Sequence, residues 1–183
     1  DTSGRLIHLA PATWEAAGIP FTGSSSEALY LTTNKLLAKA RMLAAGLPVP
    51  EWIEAGGRNA RRPTLDARRA EPRADWIVKS VWEHASVGLS DASVLRGLSA
   101  EEVAARVPAG AFAERFIDGR EFNLALLAGP DGPEALPPAE IVFVDFPSDK
   151  PRIVGYEAKR LEGSFEDAHT VRRFADPAAD GDL

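Results

Sequence analysis

From residue 112 onward, short apolar runs follow one another too closely for the crossover that a parallel strand pair needs. Residues 112–117, 122–127, 140–144 and Ile153-Val154 read as strands, preceded by Trp52-Ile53 and Trp76-Ile77-Val78-Lys79. Residues 112–122 have the look of a hairpin: Phe112, Glu114 and Phe116 alternate with Ala113, Arg115 and Ile117, and Asp118-Gly119 tolerate the positive φ of a tight turn. The pattern predicts an α+β fold with antiparallel sheets rather than a doubly wound one.

Helices precede and interrupt these runs. Ser24-Ser25-Ser26-Glu27 has capping-box spacing ahead of Ala28-Leu29-Tyr30-Leu31. Thr33 or Asn34 then caps a helix over 35–45, with Leu36, Leu37, Ala40, Leu43 and Ala44 on one face, Gly46 after its last turn, and Pro48 and Pro50 forbidding continuation. Ser99-Ala100-Glu101-Glu102 opens a third helix running to about Val107. Residues 56–73 form a loop carrying Arg58, Arg61, Arg62, Arg68, Arg69 and Arg73. With Asp66 and Glu71 interleaved and no aromatics, it reads as a solvated surface rather than a polyanion site.

Composition removes several classes of function. The chain has 183 residues, 45% of them hydrophobic, enough for one sizeable domain or two small subdomains. Lys and Arg number 21 against 27 Asp and Glu, and the net charge of -6 argues against a broad nucleic-acid footprint. There is no Cys, and His8, His84 and His169 lack metal-ligand spacing. No apolar run has membrane-spanning length and no signal segment opens the chain, so the expectation is a cytoplasmic protein with no nucleic-acid and no membrane partner. The chain opens on Asp1 and Leu6-Ile7-His8-Leu9, and residues 174–183 trail off; the expectation is a piece of something longer.

Two acids and several lysines are the candidate chemistry. Glu114 and Glu121 flank the Asp118-Gly119 turn in otherwise apolar surroundings, and an unpaired buried carboxylate costs several kcal/mol. Each therefore needs solvent, a cation or a ligand. A carboxylate such as Glu121 suits a vicinal diol because its oxygens only accept, and backbone near the turn can read a purine edge. Salt bridges within the hairpin, from Glu114 or Glu121 to Arg115 or Arg120, explain the acids equally well.

Lys35 starts a capped helix, Lys79 ends a strand and Lys159 follows Tyr156-Glu157-Ala158. Singly, each has the solvated ammonium of an ordinary surface lysine; converging, they would repel unless an anion such as phosphate sat among them. Residues 80–90, rich in Ser and small side chains with one Gly, suit a loop whose backbone N–H groups face phosphate. His84 has no Asp or Ser partner at catalytic spacing, and no P-loop, dinucleotide-binding, nucleophile-elbow or kinase motif occurs.

Taken in order, Gly18-Ile19-Pro20-Phe21-Thr22-Gly23-Ser24, Asn34-Lys35, Ala45-Gly46-Leu47-Pro48-Val49-Pro50, Trp76-Ile77-Val78-Lys79, Ala85-Ser86-Val87-Gly88-Leu89-Ser90, residues 114–121 and Tyr156-Glu157-Ala158-Lys159 resemble the D-alanine D-alanine ligase family of ATP-grasp proteins. The resemblance implies an incomplete ATP-grasp fold of two subdomains. Residues 1–24 would be the remnant of a preceding N-terminal substrate domain, 25–113 the central lid subdomain, and 114–183 the start of a truncated C-terminal subdomain.

It also implies that Lys35 and Lys79 contact ATP phosphates, that a loop including Glu83 and Ser86 closes over them, and that Lys159 lies near the phosphates as a catalytic group. Glu114 with Arg115, Phe116 and Ile117 resembles the adenine hinge, and Glu121 the ribose ligand. In such ligases one amino acid's carboxylate takes the γ-phosphoryl group of ATP and a second amino acid's amine attacks the acyl phosphate, in peptidoglycan precursor synthesis. Magnesium would be held by residues beyond this chain, with no metal ligand within it, and a homodimer is the expected assembly. Ser80, Ala85 and Arg160 stand where the family usually has Pro, Ser and Tyr. These departures leave another ATP-grasp amino-acid or peptide ligase, or a non-catalytic nucleotide-binding module, as alternatives.

Overall fold

The helix starts follow from their caps. The chain, seen as a computed structural model, is described over residues 4–57, 73–175 and 180. After a 3-10 turn at Gly4–Leu6 it forms α1 (Leu9–Ala16), α2 (Ser26–Thr33) and α3 (Lys35–Ala44). Ser25 caps α2 by accepting from Ala28 N at 3.2 Å, one residue beyond the predicted box. The acid that completes this cap comes from elsewhere in the chain: Glu15, on α1, accepts from Ser26 N at 2.9 Å and from Ser26 Oγ. Asn34 Oδ1 accepts from both Leu36 N and Leu37 N at 3.0 Å, so α3 begins at Lys35.

Residues up to Phe116 form one compact unit and those from Ile117 a second. The sheet of the first unit is antiparallel throughout, in the order β1-β4-β2-β3, with β1 at Trp52–Glu54, β2 at Ala74–Ser80, β3 at Val94–Leu98 and β4 at Ala111–Arg115. Between β3 and β4 lies α4 (Ala100–Ala104), opened by the predicted capping box, with Ser99 Oγ accepting from Glu102 N at 3.3 Å and Glu102 Oε2 from Ser99 N at 2.8 Å. Because successive strand residues point to opposite faces, Ile53, Trp76 and Ala113 pack with Val103 and Val107 on one side. On the other, Trp52, Val81 and Phe112 pack with Leu36 of α3. Burying side chains such as Trp76 and Phe112 stabilises the unit by roughly 1.5–3 kcal/mol each.

The second unit has two further antiparallel sheets. One runs β5-β8-β9, with β5 at Glu121–Asn123, β8 at Ala139–Phe143 and β9 at Thr170–Phe174; the other is a ribbon of β6 (Leu126–Gly129) and β7 (Gly132–Ala135). Two short helices, α5 (Tyr156–Arg160) and α6 (Phe165–His169), precede β9. Glu140 of β8 is buried and joins β9 to the residue before β5. It accepts from Arg120 Nε at 2.7 Å and Nη2 at 2.9 Å and from Arg173 Nε at 3.1 Å, while Asp180 takes a second hydrogen bond from Arg120 Nη2 at 2.7 Å.

Several expectations need correcting. Residues 112–122 are not a hairpin: β4 pairs with β1 and β2, and β5 pairs with β8. An Asp-Gly turn permits tight reversal without imposing it, and β4 is paired along both edges, by β1 on one side and by the seven-residue β2 on the other. Ile153-Val154 is not a strand; Ile153 is buried in irregular chain. β9 lies in a stretch without strand patterning, because Arg172 and Arg173 interrupt it, Arg173 serving Glu140. Of the arginine-rich stretch, Arg58, Arg61, Arg62, Arg68 and Arg69 lie outside the described residues, and Arg73 donates to Gly97 O at 2.8 Å and Glu102 Oε1 at 3.1 Å.

Candidate functional site

The polar centre of the first unit lies on the sheet face that α3 covers. Phe112 and Glu114 share this face of β4, and Lys79 of β2 stands opposite Phe112. The start of α3 is tied to the end of β2 by Lys35 N donating to Val81 O at 3.0 Å. The Lys35 ammonium donates to the carbonyl of Glu83, just past β2. One helical turn later Lys39 is on the same side of α3 and is buried, its Nζ 2.6 Å from Glu114 Oε2. Lys79 Nζ lies 2.7 Å from the other oxygen, Oε1.

Charges close in on one another here. Burial pushes the Lys35 ammonium below its ordinary range and the Lys79 charge adds to that, with Glu83 and Glu114 opposing. Burial pushes the Glu114 carboxyl up, but the Lys79 charge and the hydrogen bonds from Lys39 and Lys79 outweigh it, so the group stays below the usual carboxylate range. Lys39 Nζ also sits 5.1 Å from the centre of the Trp52 ring, whose indole Nε1 is buried without an acceptor. Lys39 and Lys79 thus contact the Glu114 carboxylate while Lys35, held by the Glu83 carbonyl, feels the charges of Glu83 and Glu114, a donor-rich set whose chemistry fits a polyanion such as a polyphosphate.

The loop after β2 is built to present backbone. Ser80 Oγ accepts from Glu83 N at 3.2 Å, and a turn closes with Val87 N donating to His84 O at 3.1 Å. Its central residues, Ala85 and Ser86, both have positive φ, 53° and 60°, a conformation that costs an L side chain about 1–2 kcal/mol. Such local strain tends to collect at binding sites. Together with the ends of β2 and β4 the loop lines an open cleft of about 540 Å³ bordered by Lys79, Ser80, Gly88, Ser93 and Arg106.

The structure therefore brings Lys35, Lys79, Glu83 and Glu114 together, with Ser86 on the loop that Glu83 begins. Glu114 makes neither of its expected salt bridges, to Arg115 or to Arg120: its partners are lysines, while Arg115 pairs with Glu51 at 3.2 Å and Arg120 with Glu140. Arg115 N and Phe116 N already donate to Glu51 O and Asp75 O, each at 2.9 Å. Ile117, 67% exposed, Glu121 at the start of β5 and Lys159 in α5 belong to the second unit. Lys39 joins this site without having been among the sequence candidates. Its signal was a lysine inside the apolar stripe of α3, between Leu36 and Ala40, four residues from Lys35.

No family model matches the sequence. Over 129 residues, 70% of the chain, it is 37% identical to a D-alanine–D-alanine ligase of Bordetella pertussis. It is 35% identical over 146 residues, 79% of the chain, to one of Chromohalobacter salexigens. The chain spans 40% and 42% of the length of these two relatives. Among solved structures, the D-alanine–D-alanine ligase of Bacillus anthracis complexed with ATP superposes with a TM-score of 0.55 over 91% of this chain and 47% of that one, at 17% identity. That likeness establishes the fold as ATP-grasp, in agreement with the predicted α+β class and its antiparallel sheets. Sequence and fold together place the chain in the D-alanine–D-alanine ligase-like family of ATP-grasp proteins.

Proposed function

We propose that this chain carries the nucleotide-binding part of an ATP-dependent carboxylate–amine ligase that joins two D-alanines for peptidoglycan precursors in the cytoplasm. The observation that carries this reading is the arrangement of Lys35, Lys39 and Lys79 about Glu114 on one half-buried sheet face. In this reading Lys35 and Lys79 bind ATP phosphates, and the loop with Glu83 and Ser86 covers them. Glu114 borders the adenine. With Arg115 N and Phe116 N already engaged, recognition of the adenine edge falls to the carbonyls of this segment and to the backbone of Ile117.

Glu121 accepts from the ribose hydroxyls, and Lys159 serves as the catalytic lysine near the transferring phosphoryl group. These groups would act by positioning and by offsetting charge rather than by forming bonds. Magnesium, when bound, adds further positive charge against the phosphates. Among the described residues no cluster of His, Asp or Glu is arranged to hold a metal ion, and we assign its ligands to parts of the family that this chain does not span. The reading includes a homodimer as the working assembly. No helix among the described residues is long and apolar enough to cross a membrane.

ATP binding by the chain itself is the test. ATP at 100 times its Kd should stabilise the fold by about 2.7 kcal/mol through linkage, seen as a raised Tm, and Glu121→Ala should shrink that response. A Tm indifferent to millimolar ATP overturns the reading; an unchanged response in Glu121→Ala removes only the ribose assignment.

A further inference from the structure

We propose that Lys39 is a positioning residue for polyphosphate: by satisfying one oxygen of Glu114 it stops that carboxylate from cancelling the charge of Lys79. This rests on the nucleotide reading above. The two ammoniums divide Glu114 between them, Lys39 on Oε2 at 2.6 Å and Lys79 on Oε1 at 2.7 Å, so neither competes for the other's acceptor. They differ in access. The Lys39 side chain is 6% exposed and Glu114 12%, whereas Lys79 is 31% exposed.

Lys39 is thus the inward partner, packed over the Trp52 ring and out of reach of a ligand, while Lys79 is the outward one, able to turn its remaining N–H donors to another acceptor. Of the charged groups near this carboxylate, Lys35 is already opposed by Glu83 as well as by Glu114. Without Lys39, Glu114 and Lys79 become a one-to-one pair, and the local positive charge falls by one unit at the place where an anion would be met. A carboxylate is needed on this face, but its charge must be spent inward.

A purely structural ion pair would lower stability and weaken all ligands alike. A charge-setting role instead changes the preference for a charged ligand over its neutral counterpart. Affinities of the 183-residue chain for ATP and for adenosine, measured by calorimetry in unaltered chain, Lys39→Met, Glu114→Gln and the double variant, separate the two. Lys39→Met should lower the ATP-to-adenosine affinity ratio by roughly tenfold or more, the scale of one unit charge at partly buried contact distance.

Adding Glu114→Gln to Lys39→Met restores the charge count and should return the ratio toward that of the unaltered chain. Glu114→Gln alone should raise it, and carries the test should Lys39→Met fail to fold. A ratio unmoved by Lys39→Met, a double variant as impaired as Lys39→Met, or a ratio that Glu114→Gln leaves level or lowers overturns the role of Lys39. Failure of the unaltered chain to bind ATP overturns the nucleotide reading beneath it, a result distinct from the other three.

Discussion

Lys79 Nζ and Glu114 Oε1 lie 2.7 Å apart across the β2–β4 pair, on diagonal positions, since Lys79 stands opposite Phe112 and Ile77 opposite Glu114. Their pairing holds a strand-end lysine against the sheet rather than loose in water. Lys79→Ala should therefore cost ATP more affinity than adenosine, by about 10- to 100-fold, the value of a charge-assisted hydrogen bond. Calorimetric titration with both ligands checks this, and equal losses would remove Lys79 from the phosphates.

Asn34 fixes where α3 begins and hence where Lys35 points, through two 3.0 Å hydrogen bonds to Leu36 N and Leu37 N. Asn34→Ala should lower stability by about 1 kcal/mol, with Asn34→Asp retaining most of it. Urea unfolding of the three chains gives the comparison. A loss confined to ATP binding with unchanged stability would mean that the cap matters only locally.

Ala85 holds a φ of 53° at the turn that follows the candidate phosphate loop's first residues. Ala85→Gly removes the clash of Cβ in that conformation while adding freedom to the unfolded chain, and a net gain of roughly 0.5 kcal/mol is expected. The midpoint of denaturant unfolding should rise slightly. A fall would show that the Ala85 methyl makes contacts worth more than its strain.

In the second unit Glu140 is held down to about 2, first by the hydrogen bonds of Arg120, then by those of Arg173, with burial opposing. A carboxyl depressed in the folded state binds fewer protons there than in the unfolded chain between its two pKa values. Its contribution is complete above the ordinary 4.5 and is lost as pH falls from there toward about 2. Glu140→Gln should weaken the unit at neutral pH and flatten its loss of stability across that acid range. Tryptophan-independent far-UV melts at stepped pH read this; an unchanged acid limb would assign the acid sensitivity elsewhere.

Local signals in the sequence reached far into the fold. Asn34, Ser99 and Glu102 cap their helices as their spacing implies, because a cap spans only two or three residues. The runs around Trp52, Trp76 and Ile141 are strands for the same local reason. The site was legible in part. Lys35, Lys79 and Glu114 stand out by their positions in the sequence and Glu83 through the family resemblance, and the structure brings the four together. The arginines expected to answer Glu114 go instead to Glu51 and Glu140, and Arg172 and Arg173 mask the strand pattern of β9, Arg173 being there for a buried acid.

What the sequence determined by itself was where helices start, which runs extend, that the sheets are antiparallel and which family pattern the residues follow. The tertiary structure decided what pairs with what. β4 joins β1 and β2 rather than closing a hairpin with β5, and Glu114 is answered by Lys39 and Lys79, 75 and 35 residues away along the chain. Caps and alternation are set by neighbours a few residues apart. Ion pairs and strand order depend on which distant segments burial brings together, and a buried lysine such as Lys39 reads as ordinary surface charge until its carboxylate arrives.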